Sequence, residues 1–162
     1  MMNRTGINIS NCSFYNYNIS IYGYNITESI IQDNSFYNDM NKEKGTIMLV
    51  HGVRNNLINR NYMTNSTNSG KGIYLQGTLS ISQAVSGSDN IISNNVLNNI
   101  GSNGIDLFAK VYNNTIQNNT VNETRMVGII INRVAINNTI LSNRVSFTHE
   151  DGIQIRGYDG VS

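Results

Sequence analysis

The residues best able to do chemistry lie late in the chain. His149, Glu150 and Asp151 are contiguous just before Gly152, and Arg156 follows shortly after. Cleavage of a glycosidic bond uses two carboxyl groups flanking it at a defined separation. Glu150 and Asp151 offer such a pair, with His149, Arg125 and Arg156 as companions. Adjacent strand residues point to opposite sides, so this pair needs a bend. Polysaccharide elimination instead calls for a Ca²⁺ site built from several carboxylates. The acidic residues here are scattered, so calcium enters only with a lyase reading. Transition-metal ligands come in clusters. His51 and His149 are far apart, and Met40, Met48, Met63 and Met126 read as fillers, so no metal or other cofactor is expected. Tyrosines crowd the first half, and Tyr22, Tyr62 and Tyr74 with Gln76 form a carbohydrate-binding set. A tyrosine ring couples a flat apolar face to a polar tip, which suits packing on sugar rings.

What must position these side chains is a repeat. Asn113-Asn114-Thr115-Ile116-Gln117-Asn118-Asn119-Thr120-Val121 returns as Asn137-Asn138-Thr139-Ile140-Leu141-Ser142-Asn143-Arg144-Val145, and earlier as Asp89-Asn90-Ile91-Ile92-Ser93-Asn94-Asn95-Val96-Leu97. Each copy precedes a Gly-Ile phrase: Gly104-Ile105-Asp106-Leu107, Gly128-Ile129-Ile130-Ile131 and Gly152-Ile153-Gln154-Ile155. Ile92, Ile116 and Ile140 are about 24 residues apart, a solenoid period. Looser copies run back through Ile58, Asn61 and Met63, through Ile31, Asn34 and Phe36, and through Ile9, Cys12 and Phe14. In the first of these windings Ile19 and Ile21 take the places of Ile47 and Leu49.

The apolar pulses alternate with period two, the strand signal, and helical spacing is absent. Asn, Gly, Ser and Asp supply the turns, and no proline interrupts a ladder. The expectation is an all-β chain, a single-stranded parallel β-helix of about six coils over residues 1–162, regular in 89–157 and looser in 7–88. Its hand is right, as crossovers between parallel strands are. Asn34, Asn61, Asn95, Asn119 and Asn143 fall in one column and form a structural carboxamide ladder. Cys12 heads that column and reads as a small buried hydrophobe. Residues 37–45 and 76–90 are insertions, and Leu79 and Ile81 add a local strand pair.

These phrases resemble the repeat of the pectate-lyase-like superfamily, closest to its Asn-rich surface, adhesin-like and NosD-like members. The resemblance implies an exported, surface-associated scaffold that binds carbohydrate or mediates adhesion. It also keeps open a polysaccharide-degrading or -modifying enzyme of the pectate-lyase or polygalacturonase kind. Asp151-Gly152-Ile153 resembles an Asp-Gly-Ile phrase of polygalacturonase-type hydrolases, whose further motifs on later coils are missing here. The NosD resemblance implies no copper site. A third reading is a rod segment of a phage tail fibre, which would be a homotrimer.

The formal charge of +1, with no basic stripe, gives nucleic acid no footprint. No apolar run is long enough to span a bilayer. The first residues do not read as a signal peptide, so a fragment of a longer protein is expected, or a chain capped by oligomerisation. Phrases such as Asn25-Ile26-Thr27 match glycosylation sequons and point outward, to an extracellular, cell-surface or periplasmic setting. The expected partner is a polysaccharide or cell-surface glycan.

Overall fold

The computed structural model describes residues 4–39, 44–66, 70–78 and 86–157. The proposed strand pair at Leu79 and Ile81 lies outside them. Among the described residues every regular element is a strand, and every pairing is parallel. Each winding contributes one strand to each of three six-stranded sheets. What we name the second sheet runs from Asn8–Ser10 through Ile30–Gln32, Leu57–Asn59, Ile91–Ser93 and Thr115–Gln117 to Thr139–Leu141. The third sheet runs from Ser13–Tyr15 through Ser35–Tyr37, Tyr62–Ser66, Val96–Ile100 and Thr120–Thr124 to Arg144–Thr148. The fourth runs from Ile21–Tyr24 through Gly45–Val50, Lys71–Gln76, Ile105–Phe108 and Ile129–Asn132 to Ile153–Arg156. An interrupted first sheet holds short pairs such as Arg4–Thr5 with Ile26–Thr27 and Gly87–Ser88 with Val111–Tyr112. This is the β-solenoid of about six coils that the repeat requires.

Register follows the period. Ile58, Ile92, Ile116 and Ile140 pair in sequence, as do Met63, Leu97, Val121 and Val145. These side chains fill the interior; Ile58, Ile92, Leu97, Ile116 and Val121 are wholly buried. Full burial of one such side chain stabilises by about 1.5–3 kcal/mol. In the first winding the register differs from the sequence expectation by two residues. Ile21, not Ile19, pairs with Ile47, and Gly23 pairs with Leu49. A Cβ on Gly23 would lie 2.7 Å from both Ile26 Cδ1 and Leu49 Cδ2, so Ile26 fills the place an inward side chain would take.

The bends share a two-residue design. The first residue has positive φ, as in Asp33, Arg60, Asn94, Asn118 and Ser142. The second turns its side chain inward. Asn34, Asn61, Asn95, Asn119 and Asn143 form the resulting stack: each Oδ1 accepts from the backbone N–H one coil earlier, and Asn61, Asn95, Asn119 and Asn143 also accept the carboxamide N–H of the asparagine below. Each Nδ2 also reaches a carbonyl of the coil below, Asn119 to Ile92 at 2.9 Å. A second stack, not anticipated from the sequence, runs through Ser29, Asn56, Asn90, Asn114 and Asn138 at the other end of the same strands. Cys12 is exposed, contrary to the buried-hydrophobe expectation. It heads the column on the first coil, with nothing stacked beneath it among the described residues.

Candidate functional site

The outer face of the third sheet carries two adjacent columns. One stacks Tyr15, Tyr37, Thr64, Asn98, Asn122 and Ser146; its neighbour stacks Ser13, Ser35, Tyr62, Val96, Thr120 and Arg144. Parallel pairing places equivalent outward side chains one coil apart, so the columns are continuous. Tyr15 and Tyr37 stack with centroids 5.0 Å apart, and Tyr37 meets Tyr62 at 6.1 Å. Further along, Asn122 Nδ2 donates to Asn98 Oδ1 at 2.7 Å, and Ser146 Oγ donates to Asn122 Oδ1 at 2.8 Å.

The aromatic strip therefore runs into an amide strip. Where they join lies a shallow groove of about 340 Å³, lined by Tyr62, Val96, Asn98, Thr120, Asn122, Arg144, Ser146 and Phe147. Phe147 is 77% exposed, projected by a backbone with φ of 53°. None of the lining side chains is a carboxylate, so the groove holds no acid–base pair for glycosidic cleavage. It offers apolar ring faces, amide and hydroxyl groups, and one guanidinium.

The four residues read from sequence as sugar contacts divide between two faces. Tyr62 is in the groove. Tyr22, Tyr74 and Gln76 are on the outer face of the fourth sheet, where Tyr22 is exposed and Tyr74 buried. Lys71 Nζ lies 3.8 Å from the Tyr74 ring centroid and 3.0 Å from Asp106 Oδ2, which also accepts from Asn103 Nδ2. The Tyr74 hydroxyl donates to Gln76. Burial, reinforced by the charge of Asp106 and opposed by Arg133, pushes the Tyr74 phenol well above its ordinary range. With its ring covered, Tyr74 is a packing residue, not an open platform.

His149, Glu150, Asp151, Arg125 and Arg156 are all exposed. Glu150 and Asp151 fall in the bend between the last strands of the third and fourth sheets. Asp151 accepts from Gln154. Among the described residues no ion pair joins Glu150 or Asp151 to His149, Arg125 or Arg156. The structure instead brings two other carboxylates into one place. Glu28, Arg54 and Asp89, with Thr5, Thr27, Asn55 and Ser88, line a polar groove of about 430 Å³ on the flank of the first sheet. Glu28, Asn55 and Asp89 are the positive-φ residues of successive bends. Carrying the period back through the looser coils would have aligned them.

A family model for the right-handed β-helix region matches residues 1–162. The chain belongs to this β-helix family. Among solved structures this β-helix is similar to a double mutant of the periplasmic alginate epimerase AlgG, with a TM-score of 0.75 and 22% identity. The alignment covers 96% of the β-helix and 34% of the AlgG chain, so the chain spans about a third of that neighbour's length. That likeness is one of fold. No curated protein sequence matches the chain. Among the described residues the β-helix has no His, Cys, Asp or Glu group able to hold a metal ion, and no helix long and apolar enough to cross a membrane.

Proposed function

We propose that this β-helix is an exported, surface-associated scaffold that binds a polysaccharide along the outer face of its third sheet. The observation that carries the reading is the column of Tyr15, Tyr37, Thr64, Asn98, Asn122 and Ser146, with Tyr62 set beside it from the neighbouring column against Tyr37. Coils recur every ~4.8 Å, a spacing comparable to that of units in an extended glycan. Each coil then meets the ligand with a ring, an amide or a hydroxyl, and binding is shallow and additive. The fold neighbour AlgG is by its title a periplasmic alginate epimerase, which supports both the polysaccharide and the exported setting. Affinity electrophoresis through gels cast with plant, microbial or host polysaccharides tests the reading. Retardation by at least one, weakened about 2–10-fold by Tyr62→Ala, is expected from the worth of an aromatic contact. No retardation by any of them would end it.

A second reading, a glycan-cleaving enzyme, is favoured by the groove that gathers Glu28, Asp89 and Arg54. The two carboxylates sit two coils apart in one column, roughly 9–10 Å at the backbone, near the separation used by inverting glycosidases. Release of reducing ends that is lost in both Glu28→Gln and Asp89→Asn would favour it over simple binding.

A further inference from the structure

Several corners of the solenoid open an Asn-x-Ser/Thr phrase: Asn11, Asn25, Asn113, Asn118 and Asn137 are all positive-φ bend residues. The left-handed bend accounts for asparagine there, because its short polar side chain tolerates that backbone. It does not account for the hydroxyl two residues on. Behind the bend residues Arg60, Asp89 and Asn94 that place holds Tyr62, Ile91 and Val96. Behind Asn113, Asn118 and Asn137 it holds Thr115, Thr120 and Thr139.

Asn113 and Asn118 belong to a coil paired on both sides, and both are exposed. The Asn118 carboxamide makes no hydrogen bond among the described residues, and Asn113 Nδ2 has one long contact, 3.3 Å to Asp89 Oδ1. The middle residue of each phrase, Asn114 or Asn119, is the one held in an inward stack. A third phrase a few residues on, Asn122-Glu123-Thr124, is built differently. Asn122 is half-buried; its Nδ2 donates to Asn98 at 2.7 Å and its Oδ1 accepts from Ser146 at 2.8 Å. Thr124 is buried and donates its hydroxyl to Met126 O, whereas the Thr115 and Thr120 hydroxyls are unengaged among the described residues.

We propose that Asn113 and Asn118 are acceptor sites for N-linked glycosylation of the folded chain, and that Asn122 is not. In the transfer Nδ2 bonds to C1 of a phosphate-activated sugar supplied with its own transferase. The bond between C1 and the phosphate oxygen breaks, the phosphate leaves with that electron pair, and one amide proton passes to solvent. The reacting nitrogen must be reachable and unbonded, and at the two corners it is. Asn114 and Asn119 keep their stack bonds throughout, so the interior is undisturbed. The two sites stand at opposite ends of the strand Thr115–Gln117, so the attached sugars border the second sheet along both edges.

Lys110 and Arg125 bracket all three phrases in one tryptic peptide, residues 111–125, which allows an internal comparison. The whole folded chain is treated with a soluble asparagine glucosyltransferase and nucleotide-activated glucose, then digested, and hexose is located by fragment mass spectrometry. The free peptide 111–125, treated alike, gives the enzyme's own preference among the three sequences. Relative to that baseline, Asn113 and Asn118 in the folded chain should be modified at least about tenfold faster than Asn122, which must first give up two hydrogen bonds. The proposal is overturned if the folded chain takes no hexose at Asn113 and Asn118 while the peptide does, or if Asn122 keeps its peptide ranking in the folded chain.

Discussion

Asn119→Ala measures how much the buried carboxamide stack contributes. Asn119 Oδ1 accepts from both the backbone N–H and Nδ2 of Asn95 at 2.9 Å, and its Nδ2 donates to Ile92 O and Asn143 Oδ1, also at 2.9 Å. Alanine removes all four bonds. Asn143 Oδ1 keeps the backbone N–H of residue 119, and Asn95 Nδ2 keeps Ile58 O. What remains orphaned is the Asn95 backbone N–H and one of its amide hydrogens, on a residue with no exposure. At about 1–3 kcal/mol for each buried unsatisfied group, the loss is roughly 2–6 kcal/mol. For a chain of this size that lowers the thermal midpoint by about 5–20 °C. Asn143→Ala makes the comparison: its coil is partly exposed, so water replaces the lost acceptor and the loss is about 1 kcal/mol. Thermal melts followed by circular dichroism would measure both. An unchanged midpoint for Asn119→Ala, or a larger loss for Asn143→Ala, would refute the reasoning.

Three further outcomes follow from the packing. A Cβ on Gly128 would lie 2.3 Å from Val145 Cγ1 and 2.6 Å from Gly152 O, so Gly128→Ala should cost about 1–3 kcal/mol in denaturant unfolding, whereas Gly152→Ala, whose Cβ meets nothing closer than 3.8 Å, should be nearly neutral. Lys71→Met leaves Asp106 buried with Asn103 as its remaining partner, and should destabilise by about 3 kcal/mol in the same assay. Burial raises the Asp39 carboxyl above its ordinary range, against the hydrogen bonds from Ser20, Thr46 and the Tyr17 backbone. The folded chain therefore takes up that proton first as pH falls. The stability this supplies is complete below about pH 4 and is lost as pH rises through the raised folded value. Thermal midpoints measured across the acid range should show this component, and Asp39→Asn should remove it.

The stacking of Ile92, Ile116 and Ile140 was legible because period and alternation both marked it. The Asn34–Asn143 column was legible because each member lies between two inward aliphatics. The companion column through Asn56, Asn90, Asn114 and Asn138 was not, because each of these precedes the apolar pulse and so resembles the surrounding turn residues. The slip in the first winding came from Ile19 and Ile21 imitating an Ile-x-Leu pulse, when Gly23 had to face inward beside Ile26. Alternation marks Tyr22 and Tyr74 as outward, and both stand on the outer face of the fourth sheet. Which of them open to solvent depends on what packs across each face, a tertiary fact that alternation does not encode.

The bend doublets divide the labour of specification. The inward asparagine's side chain is fixed by three or four bonds, whereas the left-handed residue before it takes its place through its backbone, and Asp33, Arg60, Asn94, Asn118 and Ser142 all occupy it. Its side chain is free to vary from coil to coil; Arg60 and Asp33 use that freedom for a two-pronged ion pair at 2.7 Å. The solenoid thus carries a ruler on its corner, one interchangeable tooth per ~4.8 Å. A periodic ligand such as a crystal lattice or a charged polymer could be matched there by rewriting five residues, with the hydrocarbon interior untouched.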